Sequence, residues 1–348
     1  MSKHQHINLK PHHHNMYTSF DDSSLDKIVT LLKSHQSEFV SGEKLSKSLN
    51  LSRAAIWKNI KKLQSLEYKI ESKPKTGYKL RLDSTLLLPW EVLDGLQTDI
   101  IGRKIYYFHT IDSTQNYALK LSQKPHENGS VVIAERQTRG RGRLNRKWIS
   151  PKGGIWLSIL LKPNFDLSQT SLFPMITSLA LSISIEKTLK IKPELKWPND
   201  VTINGKKVAG ILIDVAVESN KIDYIIFGVG INFRIKPSKI TNLVKNSKRQ
   251  YGITTLVKEK QKASAVELVQ QFLFEMEQMY NKIMSDSTGK ARKEWIKRSS
   301  TIGKNIIVTT TTGSVKGKAI GIDETGALLL SNKGSIHRIL SGDITYKK

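Results

Sequence analysis

Cysteine is absent from the 348-residue chain, which excludes disulfide bonds and thiolate chemistry, including thiolate metal sites. The sequence also lacks an apolar run of about 18 residues, so no transmembrane helix is predicted. Its N-terminal residues lack the apolar stretch of a secretory signal. These absences together predict a cytoplasmic protein that makes no membrane contact.

Acidic residues are few, with 30 Asp and Glu against 56 Lys and Arg, a formal net charge of +26. This excess favours contact with nucleic acid or another polyanion. The alternative is a general lysine bias that only keeps the protein in solution, and the position of the charge along the chain helps to decide between them. The length and a hydrophobic content of 38% predict two or three domains with a sizeable core.

Residues 24–82 concentrate positive charge, with thirteen Lys and Arg against five Asp and Glu. Ser52 is a favourable N-cap for a third helix, in which the apolar residues Ile56, Ile60 and Leu63 recur on one face. A basic hairpin pattern follows, so the segment predicts a winged helix-turn-helix. The predicted DNA contacts are Ser52, Arg53, Lys58, Lys61, Lys62, Lys73 and Lys75. A protein–protein module with solvated lysines is the alternative.

A glycine-rich cationic loop at 137–148 is the feature around which the chain is organised. It lies between two predicted strands, 131–134 and 155–161. Its cations are Arg139, Arg141, Arg143, Arg146 and Lys147. Glycine lets a backbone approach a ligand closely, and guanidinium forks match carboxylate and phosphate. The loop therefore predicts an anion site, favouring a nucleotide phosphate, although it is not a Walker P-loop. A solvated basic hairpin is the alternative.

The remaining pattern predicts an α+β protein of several domains. Strands are predicted at 105–109, 195–196, 201–203, 208–217 and 224–232, with a core helix at 172–189. A mixed or antiparallel sheet with helices on one side is expected from this order. A domain linker is predicted at the start of the segment 83–95. Helices at 263–284 and 290–298 are predicted to form a scaffold. From residue 301, short strands at 305–311, 315–322 and 327–330, punctuated by glycine, predict an SH3-like barrel. Residues 1–23, polar and without periodicity, predict a disordered tail.

Two further motifs carry polar groups suited to a ligand site. Asp112-Ser113-Thr114 follows a predicted strand, and by itself this motif is an ordinary helix cap. The motif KWPND at 196–200 combines a cation, an amide and a carboxylate, and Asp200 is a candidate Mg²⁺ ligand because such ions prefer oxygen. A simple turn between strands is the alternative there.

Four motifs together resemble the signature of biotin–protein ligases in order and spacing: GRGRxxRxW at 140–148, KWPND at 196–200, KVAGILID at 207–214 and GVGIN at 228–232. The resemblance extends from about Ser24 to the C-terminus, and the four motifs in combination are highly specific. Members of this family with two functions also carry a winged helix and repress transcription.

The resemblance implies a fold and an activity. The domains would be a winged helix-turn-helix at 24–82, a catalytic domain at 83–300 with the mixed sheet of class II aminoacyl-tRNA synthetases, and an SH3-like barrel at 301–348. ATP and Mg²⁺ would support formation of biotinyl-5′-AMP, followed by transfer of biotin to a lysine of a biotin carboxyl carrier protein. The adenylate would favour a homodimer that binds operator DNA and represses biotin synthesis genes.

The resemblance also implies site residues. The predicted biotin contacts are Ser113, Thr114, Gln115, Gln137, Arg141, Gly142, Arg143, Lys207 and Gly210. The predicted contacts to ATP or the adenylate are Arg143, Arg146, Trp148, Asn199, Asp200 and Asn232. Catalysis is assigned to Arg141, Arg143 and Lys207, which neutralise charge and position the reactants. Loss of Arg143 is expected to loosen the adenylate most.

The chain departs from the family pattern at several positions. Arg139 replaces a frequent alanine, and Leu144-Asn145 replace a frequent Arg-Gly. Because this loop lies near the dimer interface in repressor members, these departures concern dimerisation more than catalysis. Gln115-Asn116 reverses the familiar Asn-Gln order, and Asp214 stands where Glu is also usual.

Three alternative functions stay open at this point. A lipoate-type acyl-adenylating ligase is one, against which Ser113, Thr114 and Gln137 count. The second is a DNA-binding sensor that holds the ligand without chemistry. The third is a ligase whose winged helix does not regulate, since the bulky Trp57 lies in the predicted recognition helix and its direction does not follow from the sequence.

Overall fold

The structure, a computed structural model, describes residues 23–35, 38–82, 85–163, 172–218, 221–236, 238–239, 252–258, 261–285 and 288–346. The predicted disordered tail at 1–23 lies outside these residues except for Ser23, which begins the first helix.

Three helices and a hairpin form the N-terminal unit, as predicted for a winged helix-turn-helix. They are α1 (Ser23–Ser34), α2 (Gly42–Leu49), α3 (Arg53–Ser65), β1 (Lys69–Lys73) and β2 (Gly77–Leu82). The hydroxyls of Ser41 and Ser52 accept hydrogen bonds from the backbone N–H groups of Lys44 and Ala55, at 3.0 and 3.1 Å. These caps satisfy N–H groups that lack a partner within the helix and fix where α2 and α3 begin.

A seven-stranded mixed sheet forms the centre of the chain, in the order β3-β4-β5-β9-β8-β7-β6. Its strands are β3 (Ile105–Phe108), β4 (Val131–Ala134), β5 (Ile155–Leu161), β6 (Glu194–Lys196), β7 (Asp200–Ile203), β8 (Lys206–Glu218) and β9 (Lys221–Ile231). Strands β3 and β4 run parallel, and the other neighbours are antiparallel. The prediction of a mixed sheet is confirmed.

Five helices accompany this sheet among the described residues: α4 (Pro89–Leu93), α5 (Thr114–Ser122), α6 (Leu172–Leu189), α7 (Ala265–Met284) and α8 (Gly289–Arg298). One face of the sheet packs on α5 through Tyr106, Phe108, Ala118, Leu121, Val132, Ala134, Leu160 and Ile226. The other face packs on α6, where Phe173 meets Phe227 of β9 edge-on with ring centroids 5.6 Å apart. The prediction of helices on one side is therefore wrong, because strands that are apolar at every position need cover on both faces.

Helix α6 is long and apolar enough to span a membrane by length and composition, but 67% of it is buried inside the protein. It packs against α7 and the sheet. This is the environment of a core helix in a globular domain.

A five-stranded antiparallel sheet follows α8, in the order β13-β12-β11-β10-β14. Its strands are β10 (Asn305–Thr309), β11 (Ser314–Ile322), β12 (Leu328–Asn332), β13 (Ser335–Ile339) and β14 (Asp343–Tyr346). The last strand returns to pair with the first, which brings the end of the chain back to the start of this unit.

Glu277 joins α7 to the turn that precedes β3. Its carboxylate is 2% exposed and accepts three backbone hydrogen bonds, from Asp99, Ile100 and Ile101 at 2.7, 2.8 and 2.7 Å. Glu277→Gln introduces an amide N–H against these donors and leaves at least one of them unsatisfied. We expect the free energy of unfolding to fall by about 3 kcal/mol, measured by urea denaturation.

The exposed Glu267 on the same helix provides the control for this prediction. Glu267→Gln removes the same charge but disrupts no buried hydrogen bond, so its effect is expected to stay within about 0.5 kcal/mol. Equal effects of the two substitutions would contradict the role assigned to Glu277.

Candidate active site

A cavity of about 680 Å³ lies between the cationic loop, strands β7 to β9 and the C-terminal strand β14. The predicted ligand residues that line it are Ser113, Thr114, Gln115, Gln137, Arg141, Gly142, Arg143, Arg146, Trp148, Asn199, Asp200, Lys207 and Gly210. Motifs that are far apart in sequence therefore share one site. Ser158 and Asp343 also line it and were not among the predicted residues. Lys196, the cation of the KWPND motif, lines it as well, although no ligand contact was assigned to it.

Asn232 is the predicted residue that lies outside this lining. It follows β9 and is buried, and its side-chain amide donates to the carbonyl oxygen of Thr254 at 3.2 Å. Its backbone N–H donates to Val208 O at 2.8 Å. Asn232 thus fixes the segment that ends β9, and its contact with adenine stays a prediction.

One end of the cavity is built from hydroxyl and amide groups. The Gln137 Oε1 atom accepts hydrogen bonds from the N–H and the hydroxyl of Thr114, at 2.8 and 3.1 Å. The Ser158 hydroxyl lies 2.9 Å from both Thr114 Oγ1 and Gln115 Oε1. These groups hold one another in fixed orientations, so this end presents a rigid polar surface to a ligand.

Ser113 is the residue at this end whose side chain is ready to bond a ligand. It precedes α5 as its N-cap residue, yet its hydroxyl makes no capping hydrogen bond. The Ser113 oxygen is buried and has no hydrogen-bond partner among the described residues. Because an unsatisfied buried hydroxyl is costly, a ligand group that bonds it gains affinity. This geometry counts against the simpler helix-cap interpretation.

Gln115 and Asn116 stand in the reverse of the family's usual order, and the structure shows that they make different contacts. Gln115 is buried, lines the cavity and donates to Ile226 O at 3.2 Å. Asn116 donates to Asp112 Oδ2 at 2.9 Å and accepts from Arg141 at 3.4 Å. Gln115 faces the cavity, whereas Asn116 braces the loop.

The cationic loop closes over the cavity as a tight hairpin, in which the N–H of Gly142 donates to Arg146 O at 2.8 Å. At its tip, Leu144 and Asn145 both have left-handed backbones, with φ of +54° and +55°. Such a turn between two strands requires positive φ at both central residues. The turn directs the flanking arginines Arg143 and Arg146 toward the cavity.

Each of the three cavity arginines has a partner from another part of the chain. Arg141 pairs with Asp214 at 2.9 Å. Arg143 donates to Asn199 Oδ1 at 3.1 Å and to Ser341 Oγ at 2.7 Å. Arg146 pairs through its two terminal guanidinium nitrogens with the carboxylate of Asp343, a residue outside the predicted motifs. The guanidinium groups that make these contacts have the planar fork that also matches a phosphate or carboxylate.

Trp148 occupies the space above two glycines of the sheet. A Cβ on Gly230 would lie 2.4 Å from Trp148 Nε1, and one on Gly210 would lie 2.9 Å from Trp148 Cζ3. The ammonium of Lys207 is 5.0 Å from the centroid of the indole ring. A side chain at position 210 or 230 would therefore clash with the indole of Trp148. The indole alone requires glycine at both positions, apart from any contact with a ligand.

Lysines 196 and 207 place positive charge on the floor of the cavity. Lys207 is 8% exposed and forms an ion pair with Asp200, which is 6% exposed. Lys196 is also buried, and its ammonium lies 4.9 Å from the centroid of the Tyr346 ring. Burial lowers the pKa of Lys196 to about 8, while Asp200 opposes this shift and Lys207 adds to it. The floor therefore suits an anion that compensates these cations.

The predicted DNA-binding residues lie on the surface of the N-terminal unit, away from its buried face of Ile56, Ile60 and Leu63. They are Ser52, Arg53, Lys58, Lys61, Lys62, Lys73 and Lys75, of which Lys62 is partly buried and the others are exposed. Ser52 caps α3 and Arg53 bonds Glu43 at 3.1 Å. Trp57 is 57% exposed beside Lys61, so its indole points away from the core.

The fold and the cavity define a class: a mixed-sheet domain with a cationic cavity, carried between a helix-turn-helix and a small antiparallel sheet. Three family models match in the same order: an HTH domain at 24–79, the biotin/lipoate A/B protein ligase family at 107–232 and the biotin protein ligase C-terminal domain at 301–345.

Relatives match over nearly the whole chain. The Bifunctional ligase/repressor BirA of Bacillus subtilis is 33% identical over 320 residues, covering 91% of this chain and 97% of the relative. That of Escherichia coli is 28% identical over 322 residues, covering 92% and 96%. A biotin protein ligase from Aquifex aeolicus in complex with biotin and ATP superposes with a TM-score of 0.58 at 29% identity, covering 71% of this chain and 99% of that one. The chain therefore belongs to the biotin protein ligase family, in the branch of bifunctional ligase/repressors.

Proposed function

We propose that this protein attaches biotin to a lysine of a biotin carboxyl carrier protein at the expense of ATP, and represses biotin synthesis genes in response to biotin. One observation carries the proposal: a single cavity combines a hydroxyl–amide end suited to a urea-like ring with a cationic loop and floor suited to a carboxylate and phosphates. The polar end is formed by Ser113, Thr114 and Gln137.

The first step joins biotin to AMP. A carboxylate oxygen of biotin attacks the α-phosphorus of ATP, the bond to the β-phosphate oxygen breaks, and pyrophosphate leaves. Both reactants are anions, so the chief demand is neutralisation and alignment. Arg141, Arg143 and Lys207 supply this charge at the centre of the cavity, and Arg146 faces the nucleotide phosphates.

The second step transfers biotin to the carrier. The neutral ε-amine of the carrier lysine attacks the acyl carbon of biotinyl-5′-AMP, an amide forms, AMP leaves and the amine loses a proton. The proposed adenylate contacts, Trp148, Asn199 and Asn232, hold the leaving nucleotide. No nucleophilic side chain of the enzyme is needed, which agrees with a cysteine-free site.

Magnesium would accompany ATP and be held by Asp200. No cluster of three acidic or histidine side chains able to hold a metal occurs among the described residues. A single carboxylate suits Mg²⁺, which commonly binds one or two carboxylates together with substrate phosphates and water. The ion would neutralise phosphate charge.

Pyrophosphate release tests the enzymatic part of the proposal. With biotin and ATP the protein should release pyrophosphate, and lipoate in place of biotin should give little. Release with lipoate alone would support the lipoate-type alternative, and binding of biotin without pyrophosphate would support a sensor that does no chemistry.

Nucleotide affinity is expected to depend on pH through Lys196. Its pKa of about 8 lies below the ordinary 10.5, so the cavity loses this positive charge as pH rises through about 8. We expect the KM for ATP to rise by about tenfold between pH 7 and pH 9, because neutral Lys196 no longer donates one charge-assisted hydrogen bond to the nucleotide. Lys196→Arg keeps its charge over this range. Identical KM profiles for the parent and Lys196→Arg would contradict the prediction.

The N-terminal unit would bind operator DNA, with α3 in the major groove and the hairpin on flanking phosphates. The exposed basic residues of α3 and the hairpin support this placement. Biotinyl-5′-AMP would favour a homodimer, whose two-fold symmetry matches a two-fold operator. A gel shift with DNA upstream of biotin synthesis genes should require biotin and ATP, whereas no shift under any condition would support a non-regulatory winged helix.

The domain boundaries that we propose are 24–82, 83–300 and 301–348, after an N-terminal tail at 1–23, in a cytoplasmic protein. The family matches at 24–79 and 301–345 support the outer two. We assign the central sheet to the class II aminoacyl-tRNA synthetase-like type and the C-terminal unit to an SH3-like barrel. The return of β14 to β10 supports the barrel assignment.

A further inference from the structure

Glu67 has an unfavourable backbone conformation in the turn between α3 and β1. Its φ is +67°, in the left-handed region that favours glycine. Glu67 is the C′ residue of a Schellman motif that ends α3, in which the N–H groups of Glu67 and Tyr68 donate to Gln64 O and Leu63 O, both at 3.2 Å. Glycine is the usual residue at such a position. A glutamate at a position that favours glycine makes its side-chain contacts of interest.

The Glu67 carboxylate links the winged helix to the catalytic domain. Its Oε1 atom forms an ion pair with the ammonium of Lys152, and its Oε2 atom accepts from the Thr85 hydroxyl at 3.1 Å. Lys152 lies between the cationic loop and β5, and Thr85 lies between β2 and α4. Glu67 thus contacts both the domain connection and the segment that leaves the loop.

Lys152 is two residues from Ser150, which bonds the polar end of the cavity directly. Gln137 donates to Ser150 twice, from Nε2 to Oγ at 2.8 Å and from its backbone N–H to Ser150 O at 3.1 Å. The same Gln137 side chain orients Thr114. A continuous set of contacts therefore runs from Glu67 to the cavity wall.

Glu135, two residues before Gln137, responds to both members of the ion pair. Burial raises its pKa to about 7, and of the nearby charges Lys152 lowers it and Glu67 raises it. The pair is thus electrostatically close to the end of β4, from which the cationic loop departs.

We propose that Glu67, although part of the DNA-binding unit, is a positioning residue for the catalytic site: its ion pair with Lys152 holds the segment 150–152 so that Ser150 and Gln137 shape the biotin end of the cavity. This inference rests on the proposed biotin ligase function. By thermodynamic linkage, biotin in the cavity then favours the winged-helix position in which the pair is formed.

The test compares the full-length parent with Glu67→Gln, Lys152→Gln and the double variant in biotin- and ATP-dependent pyrophosphate release. Each single variant is expected to raise the KM for biotin by about two- to fivefold, the range for an exposed ion pair, with kcat unchanged. The double variant should show no more than the single effect. The reversed pair, Glu67→Lys with Lys152→Glu, should recover most of the parent KM.

The ion pair between Arg81 and Glu71 provides a matched control. Its members are 51% and 41% exposed, against 51% and 36% for Lys152 and Glu67, and both belong to the hairpin. Arg81→Gln and Glu71→Gln should leave the KM for biotin unchanged. Glu67→Gly relieves the left-handed backbone, so its Tm should not fall. Its KM should nevertheless rise as in Glu67→Gln, which a purely structural role would not produce.

An unchanged KM in Glu67→Gln and Lys152→Gln, or additive effects in the double variant, would overturn the positioning role and leave the proposed activity intact. If the parent released no pyrophosphate with biotin and ATP, the proposed function itself would fail.

Discussion

Arg143→Gly is expected to shorten the lifetime of bound biotinyl-5′-AMP by about 100-fold, the usual cost of losing one preorganised donor to a developing anion. In the structure the Arg143 guanidinium is aimed into the cavity by Asn199 and Ser341, at 3.1 and 2.7 Å. Glycine removes the charge and the fork but leaves the loop its backbone. The measurement is the rate at which preformed, labelled adenylate leaves the protein after dilution.

Arg139→Gly is the matched control, since Arg139 belongs to the same loop but is exposed and does not line the cavity. It removes the same charge and adds the same backbone freedom, so the adenylate lifetime should change by less than about threefold. If Arg143→Gly retained the adenylate as long as the parent, the role assigned to Arg143 would be wrong.

Lys207→Gln is expected to have two separable effects. Adenylate formation should slow by about 100- to 1,000-fold, because the buried cation that neutralises the reacting carboxylate and phosphate is lost. The free energy of unfolding should fall by about 3 kcal/mol, because Asp200 is left buried without its ion-pair partner. Pyrophosphate release measures the first effect and urea denaturation the second.

The double variant Lys207→Gln with Asp200→Asn separates the effect on adenylate formation from the effect on stability. It removes both buried charges, so most of the lost stability should return while adenylate formation stays slow. Lys206→Gln, at an exposed neighbouring position on β8, should alter neither quantity appreciably. Recovery of activity in the double variant would contradict a direct role for the Lys207 ammonium.

Much of the fold could be predicted wherever one local pattern decides the structure. The strands 131–134 and 155–161 and helix 172–189 have the predicted bounds, because uniform apolar runs between turn residues leave few alternatives. Strands β13 and β14 were not predicted. The first has four exposed residues in five, so its sequence lacks the alternation that identifies a strand.

Helix α4 was also missed, since Leu86-Leu87-Leu88 and Pro89 suggest a linker rather than a helix start. In the structure Pro89 opens the helix, and Gln270 of α7 donates to the carbonyl oxygens of Glu91, Val92 and Asp94 near its end. These long-range hydrogen bonds stabilise a helix too short to be stable alone, and no local pattern reports them.

The candidate site, too, could be predicted only where a local pattern exists. The motifs on the loop and on strands β7 and β8 were predicted because each is contiguous in sequence. Ser341 and Asp343, which bond the loop arginines, lie about 200 residues further along the chain. They were not predicted, because only the folded structure brings them to the loop. Ser158 had a local signal that could have been used: it is the polar residue within the otherwise apolar strand β5.

The most direct test of the central claim is incubation of the protein with biotin, ATP, Mg²⁺ and a biotin carrier domain, followed by intact-mass analysis of the carrier. The account predicts that the carrier gains the mass of one biotinyl group, that the gain requires ATP, and that it is lost when the target lysine of the carrier is replaced. A carrier that remains unmodified, while the protein is folded and binds biotin, would contradict it.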